Sequence, residues 1–328
     1  MSLIDDMNWL APQWHSLSAY VNSGRVPQAL LMVGREGVGK SALAETFSKR
    51  LLCRSPQEFA CGECVSCRLF EAKTHPDFLR IEPEEPGKAI PVEAIRGLKA
   101  NLALKPQYSG RRVVLISPAH QMNVSSANSL LKTLEEPDEH TSLLLLTDSP
   151  ESLPATILSR CQRMDIPVPE RDLALAWLAK QGLAENGPVL LALARGTPIR
   201  ALSLANDGMI EKREEFFTAW VGLTQRGEPA AVAEKWSKFT CETLVEWMIS
   251  WTMDLIRLKS APQNRALDNP DLAERLLHPA KTLNLRCLFD YLDRLNAGRK
   301  MLSGQINRQL LLEEMLILWL RSQCRLKT

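Results

Sequence analysis

The most constraining feature of the sequence is a glycine-rich segment between an apolar run and a helical pattern. Ala29 to Val33 read ALLMV and predict a buried strand, and the stretch SALAETFSKRLL, which starts at Ser41, predicts a helix. Between them, GREGVGKS matches the pattern G-x-x-x-x-G-K-[ST] in full, in the strand–loop–helix context that this pattern requires. The sequence therefore predicts a phosphate-binding loop.

Each residue type in this loop suits the binding of a nucleoside triphosphate. Gly34, Gly37 and Gly39 allow backbone N–H groups to curl around phosphate oxygens, and Lys40 can reach the β and γ phosphates. Ser41 can bind Mg²⁺, so ATP with Mg²⁺ is a possible ligand. A glycine turn with an incidental lysine is the alternative interpretation.

Two more buried strands are predicted downstream of the loop. They cover Val113 to Ser117 and Leu143 to Thr147, and the amphipathic segment Val124 to Glu136 lies between them. Strands that alternate with helices are typical of a parallel α/β sheet. We therefore expect an α/β domain built around the phosphate loop.

The strand Val113 to Ser117, which is the next core strand after the phosphate loop, ends without the acid that ATP hydrolysis requires. An ATPase of this type holds Mg²⁺ with a carboxylate at that position, and a second acid commonly activates water. Here Ser117 and Pro118 supply no carboxylate, and His120 is a poor ligand for a hard cation. We expect that ATP is not hydrolysed by this chain alone; the alternative is that Asp148 or another acid takes the missing place.

Four cysteines crowd directly after the predicted loop helix. Cys53, Cys61, Cys64 and Cys67 form the pattern C-x7-C-x2-C-x2-C. Thiolates at this density fit a closed tetrahedral zinc site with a structural role, so residues 53–67 are predicted to form a zinc module. Four buried free thiols are the alternative, and His75 in place of one cysteine is a variant.

The second half of the chain contains helical patterns only. We expect three domains: residues 1–166 with the phosphate loop and zinc module, a small helical domain at 167–206, and an all-helical domain at 207–328, with proline-bearing turns near Pro229, Pro262 and Pro279. Large aromatic residues usually lie in a core. Five tryptophans are therefore predicted to fill the core of the last domain: Trp220, Trp236, Trp247, Trp251 and Trp319.

Charge and hydropathy exclude several classes of function. The formal net charge of +2 gives no strong overall attraction to phosphate backbones, so autonomous tight DNA binding is disfavoured. Met1 to Trp14 carries Asp5 and Asp6 and has no basic start followed by an apolar run, and no stretch has the length of a membrane span. We expect a cytoplasmic protein.

Several motifs together resemble one protein family. These are Asn123 to Pro137 (NVSSANSLLKTLEEP), Leu153 to Cys161 (LPATILSRC), THPDF at Thr74 to Phe78, the phosphate loop and the four cysteines. They cover most of residues 25–165 and closely resemble the bacterial replicative clamp-loader ATPases, which are AAA+ proteins of the gamma/tau and delta-prime type. The resemblance implies an AAA+ domain, a helical lid and a collar domain; the closing helices after Gly304 to Asn307 are similar to that collar.

Within this family the chain is more similar to the delta-prime type. Gamma-type motors end the second core strand with Asp-Glu, whereas delta-prime chains typically lack the pair, as this chain does at Ser117 and Pro118. Many delta-prime chains have also degraded their phosphate loop, so the intact loop is a departure that leaves nucleotide binding open.

The resemblance implies roles for two arginines. Arg160, in the segment Ser159 to Cys161, corresponds to an arginine finger that is offered to ATP on a neighbouring gamma-type subunit. Residues 196–202 resemble the second sensor of the family, but the arginine of the motor falls on Ile199 and Arg200 stands one place later.

The resemblance also implies partners and a task. Gamma or tau chains, a delta chain and this chain would place the sliding clamp on primed DNA, as part of the DNA polymerase III holoenzyme, a DNA-directed DNA polymerase and nucleotidyltransferase assembly. No ATPase or polymerase site is expected in this chain. Two alternatives are a gamma-type motor with rearranged acids and a zinc-stabilised interaction module outside replication.

Overall fold

The computed structural model of the protein describes residues 3–85, 87–102, 105–108, 110–136, 139–223, 228–261, 263, 267–302 and 306–324. Pro137, Pro262, Gly304 and Gln305 lie outside these described residues. The chain divides into two units: Met1–Glu185 with Ala194–Leu202, and Asn186–Leu193 with Ser203–Thr328. The expected three-domain boundaries stay a prediction.

The first unit combines a sheet with helices. Its strands are β1 (Ala29–Val33), β2 (Phe78–Ile81), β3 (Arg112–Ile116), β4 (Thr141–Thr147) and β5 (Gln162–Asp165). Its helices are α1 (Leu3–Asp6), α2 (Ala11–Asn22), α3 (Lys40–Leu52), α4 (Val65–Glu71), α5 (Val92–Leu102), α6 (Val124–Glu135), α7 (Ala155–Leu158) and α8 (Arg171–Lys180). Three single 3₁₀ turns, Asn8–Leu10, Ala119–Gln121 and Pro150–Ser152, complete it.

The five strands form one parallel sheet in the order β2-β3-β4-β1-β5. The three central strands, β3, β4 and β1, are buried along their whole length, as their continuous apolar runs predict. Val33 lies opposite both Thr147 and Asp165, so the carboxyl ends of β1, β4 and β5 share one edge of the sheet. The prediction of a parallel α/β sheet is confirmed.

Helices α5 and α6 cover one face of this sheet with apolar side chains. Ile95 and Leu98 of α5 and Leu130 and Leu134 of α6 belong to the same buried cluster as Leu143 and the other strand residues. Asn123 is the N-cap of α6. Its side chain accepts a hydrogen bond from the Ser126 amide at 2.8 Å, which fixes the start of the helix.

The regular elements of the second unit, among its described residues, are all helices. It contains α9 (Gly187–Leu193), α11 (Met209–Gly222), α12 (Pro229–Trp236), α13 (Cys241–Ser260), the 3₁₀ turn Pro270–Leu272, α14 (Ala273–Thr282), α15 (Leu285–Met301) and α16 (Arg308–Cys324). Helix α10 (Pro198–Asn206) begins in the first unit and ends in the second. The predicted turn near Pro279 is wrong: this proline lies inside α14, whose last residue follows three positions later.

Tryptophan side chains form the centre of the second unit. The rings of Trp220 and Trp319 stack with centroids 3.8 Å apart, and Trp251 lies 5.3 Å from Trp220. All five tryptophans that the sequence assigns to this core are buried, including Trp236 and Trp247. That prediction is confirmed.

Candidate functional site

The phosphate loop connects β1 to α3 at the carboxyl edge of the sheet. Gly37 and Gly39 adopt left-handed backbone angles, with φ of 79° and 111°, which side chains other than glycine rarely adopt. Helix α3 begins directly afterwards at Lys40, so its first N–H groups lie beside the loop. The predicted strand, loop and helix are therefore all present.

The start of α10 lies directly against this loop. The Ile199 amide donates a hydrogen bond to the Gly37 carbonyl at 3.1 Å, and a Cβ added to Gly37 would lie 2.5 Å from the Cβ of Arg200. The Nη1 of Arg35 donates to the Arg195 carbonyl at 3.0 Å. Only glycine leaves room for this approach, which explains why a glycine occupies position 37.

Arg200 follows Ile199 on this helix and is therefore adjacent to the loop. Its Nη1 lies 3.8 Å from Oε1 of Glu36 within the loop. The segment that resembles a second sensor thus lies beside the phosphate loop, and a sensor role for it and for Arg200 stays a prediction.

Lys40 turns its ammonium group toward carbonyl groups of its own loop. Its Nζ donates to the carbonyls of Gly34 and Arg35, at 2.5 and 2.9 Å. Burial lowers the pKa of Lys40 below its usual range, while the nearby charges of Asp148 and Glu36 oppose that shift. The lysine is therefore partly desolvated, in a position where a phosphate could replace the carbonyl oxygens as its partner.

Strand β3 ends without an acid, as the sequence predicts. Ile116 is its last residue, and the Ser117 amide donates to the Ile81 carbonyl of β2 at 3.0 Å. The residues that follow are Pro118, Ala119 and His120, which bring no carboxylate to this strand end.

An acid does lie at the end of the neighbouring strand. The Gly34 amide donates to the Thr147 carbonyl at 3.1 Å, which places Asp148 next to the start of the loop. Oδ1 of Asp148 lies 3.3 Å from Nδ1 of His120, and the same ring nitrogen lies 3.2 Å from the Thr147 hydroxyl. The charge of Asp148 also acts on Lys40, so this carboxylate is part of the loop environment.

The four predicted cysteines come together where α3 ends. One Sγ atom from each of Cys53, Cys61, Cys64 and Cys67 lies within 4.8 Å of all the others. The Sγ of Cys61 is 3.5 Å from that of Cys53 and 3.9 Å from that of Cys67. A zinc ion with bonds of about 2.3 Å to four thiolates separates the sulfurs by about 3.8 Å, so the arrangement fits a tetrahedral metal site.

Backbone amides support the thiolate form of three of the four cysteines. The amides of Cys61, Cys64 and Cys67 donate to the sulfurs of Cys53, Cys61 and Cys64, at 3.3 to 3.4 Å. Such donors favour the charged sulfur that a metal requires. Four cysteines leave no position for water on a tetrahedral ion, so this centre has a structural rather than a catalytic composition.

His75 lies next to this cluster, forms hydrogen bonds to Ser66 and Asp77, and does not replace a cysteine. Its Nδ1 accepts a hydrogen bond from the Asp77 amide at 3.0 Å, and its Nε2 lies 2.7 Å from the Ser66 hydroxyl. Ser66 in turn donates to the Leu52 carbonyl at 2.5 Å. Burial lowers the pKa of His75, although the charge of Asp77 opposes the shift, and both ring nitrogens are already engaged.

Arg160 lies between α7 and β5 with its side chain about one third exposed, at 36%. Its Nη1 donates to the Thr156 carbonyl at 3.0 Å, and its Nη2 pairs with Oε1 of Glu135 at 2.9 Å. The sequence predicted a role for Arg160 but gave no signal for Glu135, which lies 25 positions earlier. A finger role for Arg160 stays a prediction.

A phosphate loop after the first strand of a parallel sheet defines the class of P-loop nucleotide-binding folds. Residues 10–170 match the family model described as DNA polymerase III, delta subunit, and residues 208–321 match the model of its C-terminal part. The DNA polymerase III subunit delta′ of Pseudomonas aeruginosa is 36% identical over 97% of this chain and 98% of its own length. The subunit delta′ of Escherichia coli K12 is 30% identical over 94% of this chain and 93% of its own length. The chain therefore belongs to the DNA polymerase III subunit delta′ family.

A partial match extends to a second subunit type. The DNA polymerase III subunit tau of Escherichia coli K12 is 40% identical over 153 residues, which are 45% of this chain and 23% of that protein. Among the residues that the structure describes, no helix combines the length and the apolar character needed to cross a membrane.

Proposed function

We propose that this chain is the delta-prime subunit of a clamp-loading complex, in which it is a non-hydrolysing AAA+ partner. In this role it supplies Arg160 as an arginine finger to ATP on a neighbouring gamma or tau subunit. Residues 167–206 form the lid, and residues 207–328 form the collar that joins the subunits. The partners are gamma or tau, delta, the sliding clamp and, through the assembled complex, primed DNA.

One observation carries this proposal: the chain has an intact phosphate loop, but strand β3, which would supply the Mg²⁺ ligand, ends without a carboxylate. Lys40 and the glycines can hold phosphate groups, whereas Ser117 and Pro118 cannot hold the Mg²⁺ that hydrolysis needs. A chain with such a site can bind ATP and leave the chemistry to another subunit. Membership of the delta′ family, and the partial match to tau, support an assembly of related chains.

The position of Arg160 suits a residue that acts on a neighbour. Its guanidinium is partly exposed, and its two described hydrogen bonds use two of the five N–H groups of an arginine. The remaining donors can contact phosphate oxygens, where a finger supplied by another chain stabilises the charge that develops during phosphoryl transfer.

The cysteine cluster holds zinc in this proposal, with a structural task. Because Cys53 directly follows α3, a metal at this point fixes the end of the helix whose start carries the phosphate loop. The near-neutral net charge of +2 fits a chain whose DNA contacts are shared across the assembled ring.

The test is ATP turnover, measured on the isolated chain and on the reconstituted complex. We expect the isolated chain to complete no turnover, and the complex with Arg160→Ala to assemble normally but hydrolyse ATP more slowly with clamp and primed DNA. A dedicated finger accelerates its site by roughly 10³-fold or more, so the other ATP sites should account for the remaining rate. Unchanged turnover of the complex would reject the finger role.

A second candidate function rests on Asp148. Its carboxylate is close enough to the loop to act on Lys40, so a gamma-type motor with a rearranged acid is the competing proposal. In that case the isolated chain hydrolyses ATP repeatedly, and Asp148→Asn abolishes the activity. Absence of turnover in the isolated chain, with ATP binding retained, excludes this motor.

A further inference from the structure

We propose that Glu135 is a positioning residue that orients the Arg160 guanidinium toward ATP on the neighbouring subunit. This inference rests on the proposed finger role of Arg160. It adds a residue that contacts no nucleotide and acts through the arginine alone. The direct contact is the ion pair of 2.9 Å between Nη2 of Arg160 and Oε1 of Glu135.

Both partners of this ion pair are attached to the same apolar core. Glu135 is the last residue of α6 and follows the buried Leu134, while Arg160 is followed by the buried Cys161. Leu134 and Cys161 belong to one buried cluster, which also contains Ile157 of α7. The backbones on the two sides of the ion pair are therefore fixed relative to one another, and the side chains meet over a rigid base.

Two acceptors define the direction of the guanidinium. The Thr156 carbonyl binds Nη1 at 3.0 Å and the Glu135 carboxylate binds Nη2 at 2.9 Å. An arginine side chain has many rotamers in water, and ordering it costs conformational entropy. Because these two contacts already limit its rotamers, less of that cost remains when a phosphate group arrives.

The exposure of the pair indicates that Glu135 orients Arg160 but does not prevent it from binding a triphosphate. The two side chains are 36% and 49% exposed, and exposed ion pairs are weak because water screens them. A triphosphate carries more negative charge than one carboxylate and can engage the free N–H groups at the same time. Glu135 should therefore raise the rate of the neighbouring site.

The neighbouring Glu136 provides a matched control. It is also an exposed glutamate, it stands one position later at the C-cap of α6, and no hydrogen bond or ion pair to Arg160 is described for it. Replacing Glu136 by alanine removes the same charge from the same region and leaves the described contact to Arg160 in place.

The experiment measures kcat and KM for ATP of the reconstituted complex with clamp and primed DNA. Glu135→Ala should lower kcat roughly threefold to tenfold with KM unchanged, because a misplaced group loses rate without losing substrate binding. Glu135→Gln keeps an oxygen acceptor of the same length and should restore most of the rate. Glu136→Ala should match the unaltered chain, and assembly is checked for each variant by size-exclusion chromatography.

The Arg160→Ala background separates positioning from a general structural effect. If Glu135 acts only through Arg160, the double variant with Glu135→Ala and Arg160→Ala has the same rate as Arg160→Ala alone. A further decrease in the double variant, or a Glu135→Ala rate at or above that of the unaltered chain, overturns the positioning role while the finger role stands. An Arg160→Ala complex with full activity instead removes the finger role itself.

Discussion

The two ends of α3 (Lys40–Leu52) carry two sites that differ in completeness. At its start, the phosphate loop provides glycines, a lysine and a serine for a triphosphate, but β3, which β4 separates from β1, ends without an acid. At its end, four cysteines supply every ligand that a tetrahedral metal ion can take. One helix thus joins a phosphate loop to a cysteine cluster that has the full number of ligands for a tetrahedral metal ion.

This difference shows which kind of site can be divided among chains. A structural metal contributes to the folding of the chain that holds it, so its ligands must all come from that chain when it folds alone. Phosphoryl transfer takes place only after assembly, so the groups that stabilise it can come from several subunits. The cysteine cluster is accordingly local in sequence, whereas the ATP chemistry is proposed to depend on Arg160 acting on another chain.

The largest expected effect concerns the complete end of α3. Cys67→Ser should abolish stoichiometric metal binding and lower the free energy of unfolding by roughly 3–5 kcal/mol, because loss of a metal is among the most destabilising single changes. Metal analysis and urea unfolding measure the two quantities. Cys287→Ser is the control, since this half-buried cysteine of the second unit lies outside the cluster.

The ring of Trp14 gives this experiment a local signal. Phe59, which lies between Cys53 and Cys61, stacks on it with centroids 4.7 Å apart and an angle of 4° between the rings. If the cluster holds zinc, removing the ion with a chelator should release Phe59 and change the fluorescence of Trp14 before the chain unfolds. A Cys67→Ser chain that keeps one metal per chain would show that the cluster is not the binding site.

The next largest effect concerns the incomplete end. Lys40→Ala should weaken ATP binding by the isolated chain roughly 10-fold to 150-fold, because a charge-assisted hydrogen bond contributes about 1.5–3 kcal/mol. Isothermal titration calorimetry measures the affinity, and metal content should stay unchanged. Equal affinities for the unaltered chain and the Lys40→Ala chain would mean that the loop does not hold phosphate. The start of α3 would then not be a nucleotide site, and the comparison of its two ends would fail.

The fold was predictable where the apolar pattern is continuous. Strands β1, β3 and β4 lie in the middle of the sheet, are buried on both faces and have apolar runs that predict them. The sequence did not predict β2 and β5, which are the two edge strands. In β5, QRMD, only Met164 is buried, because an edge strand contacts the core with few side chains.

The candidate site was predictable where its residues are close in sequence. The phosphate loop and the four cysteines each occupy a short segment with a fixed spacing, so pattern alone identifies them. The contacts that support them join distant segments: Gly37 with Ile199, and Glu135 with Arg160. Such pairings depend on the packing of the folded chain, and no local pattern encodes them.

A smaller effect, the difference in cost between two glycine substitutions, tests the contact between the loop and α10. Gly37→Ala introduces strain at φ 79° and also places a Cβ 2.5 Å from Arg200, whereas Gly24→Ala introduces strain at φ 68° in open space. We expect Gly24→Ala to cost about 1 kcal/mol and Gly37→Ala about 2–3 kcal/mol of unfolding free energy. Urea unfolding of both variants isolates the contribution of the close approach between Gly37 and Arg200. Equal losses of unfolding free energy would show that α10 moves away from the added Cβ at no cost.

The smallest effect is the dependence of ATP binding on pH through Lys40. Burial lowers the pKa of this lysine, so its charged form is disfavoured in the folded chain relative to the unfolded one. As pH rises through the lowered pKa toward the ordinary value of 10.5, Lys40 loses its proton in the folded chain. Loss of the proton removes the free-energy cost of burying a charge, but it also removes the charge that attracts phosphate.

ATP affinity should consequently fall with rising pH in a range where an ordinary lysine stays charged, while the contribution of Lys40 to stability rises. The loss is smaller than that caused by Lys40→Ala, because part of the population keeps its proton. The control is Lys40→Arg, whose guanidinium stays charged across this range and whose weaker binding should not vary with pH. If the affinities of the two chains fall in parallel, the pH dependence comes from the nucleotide or from another group, and the desolvated lysine is not its cause.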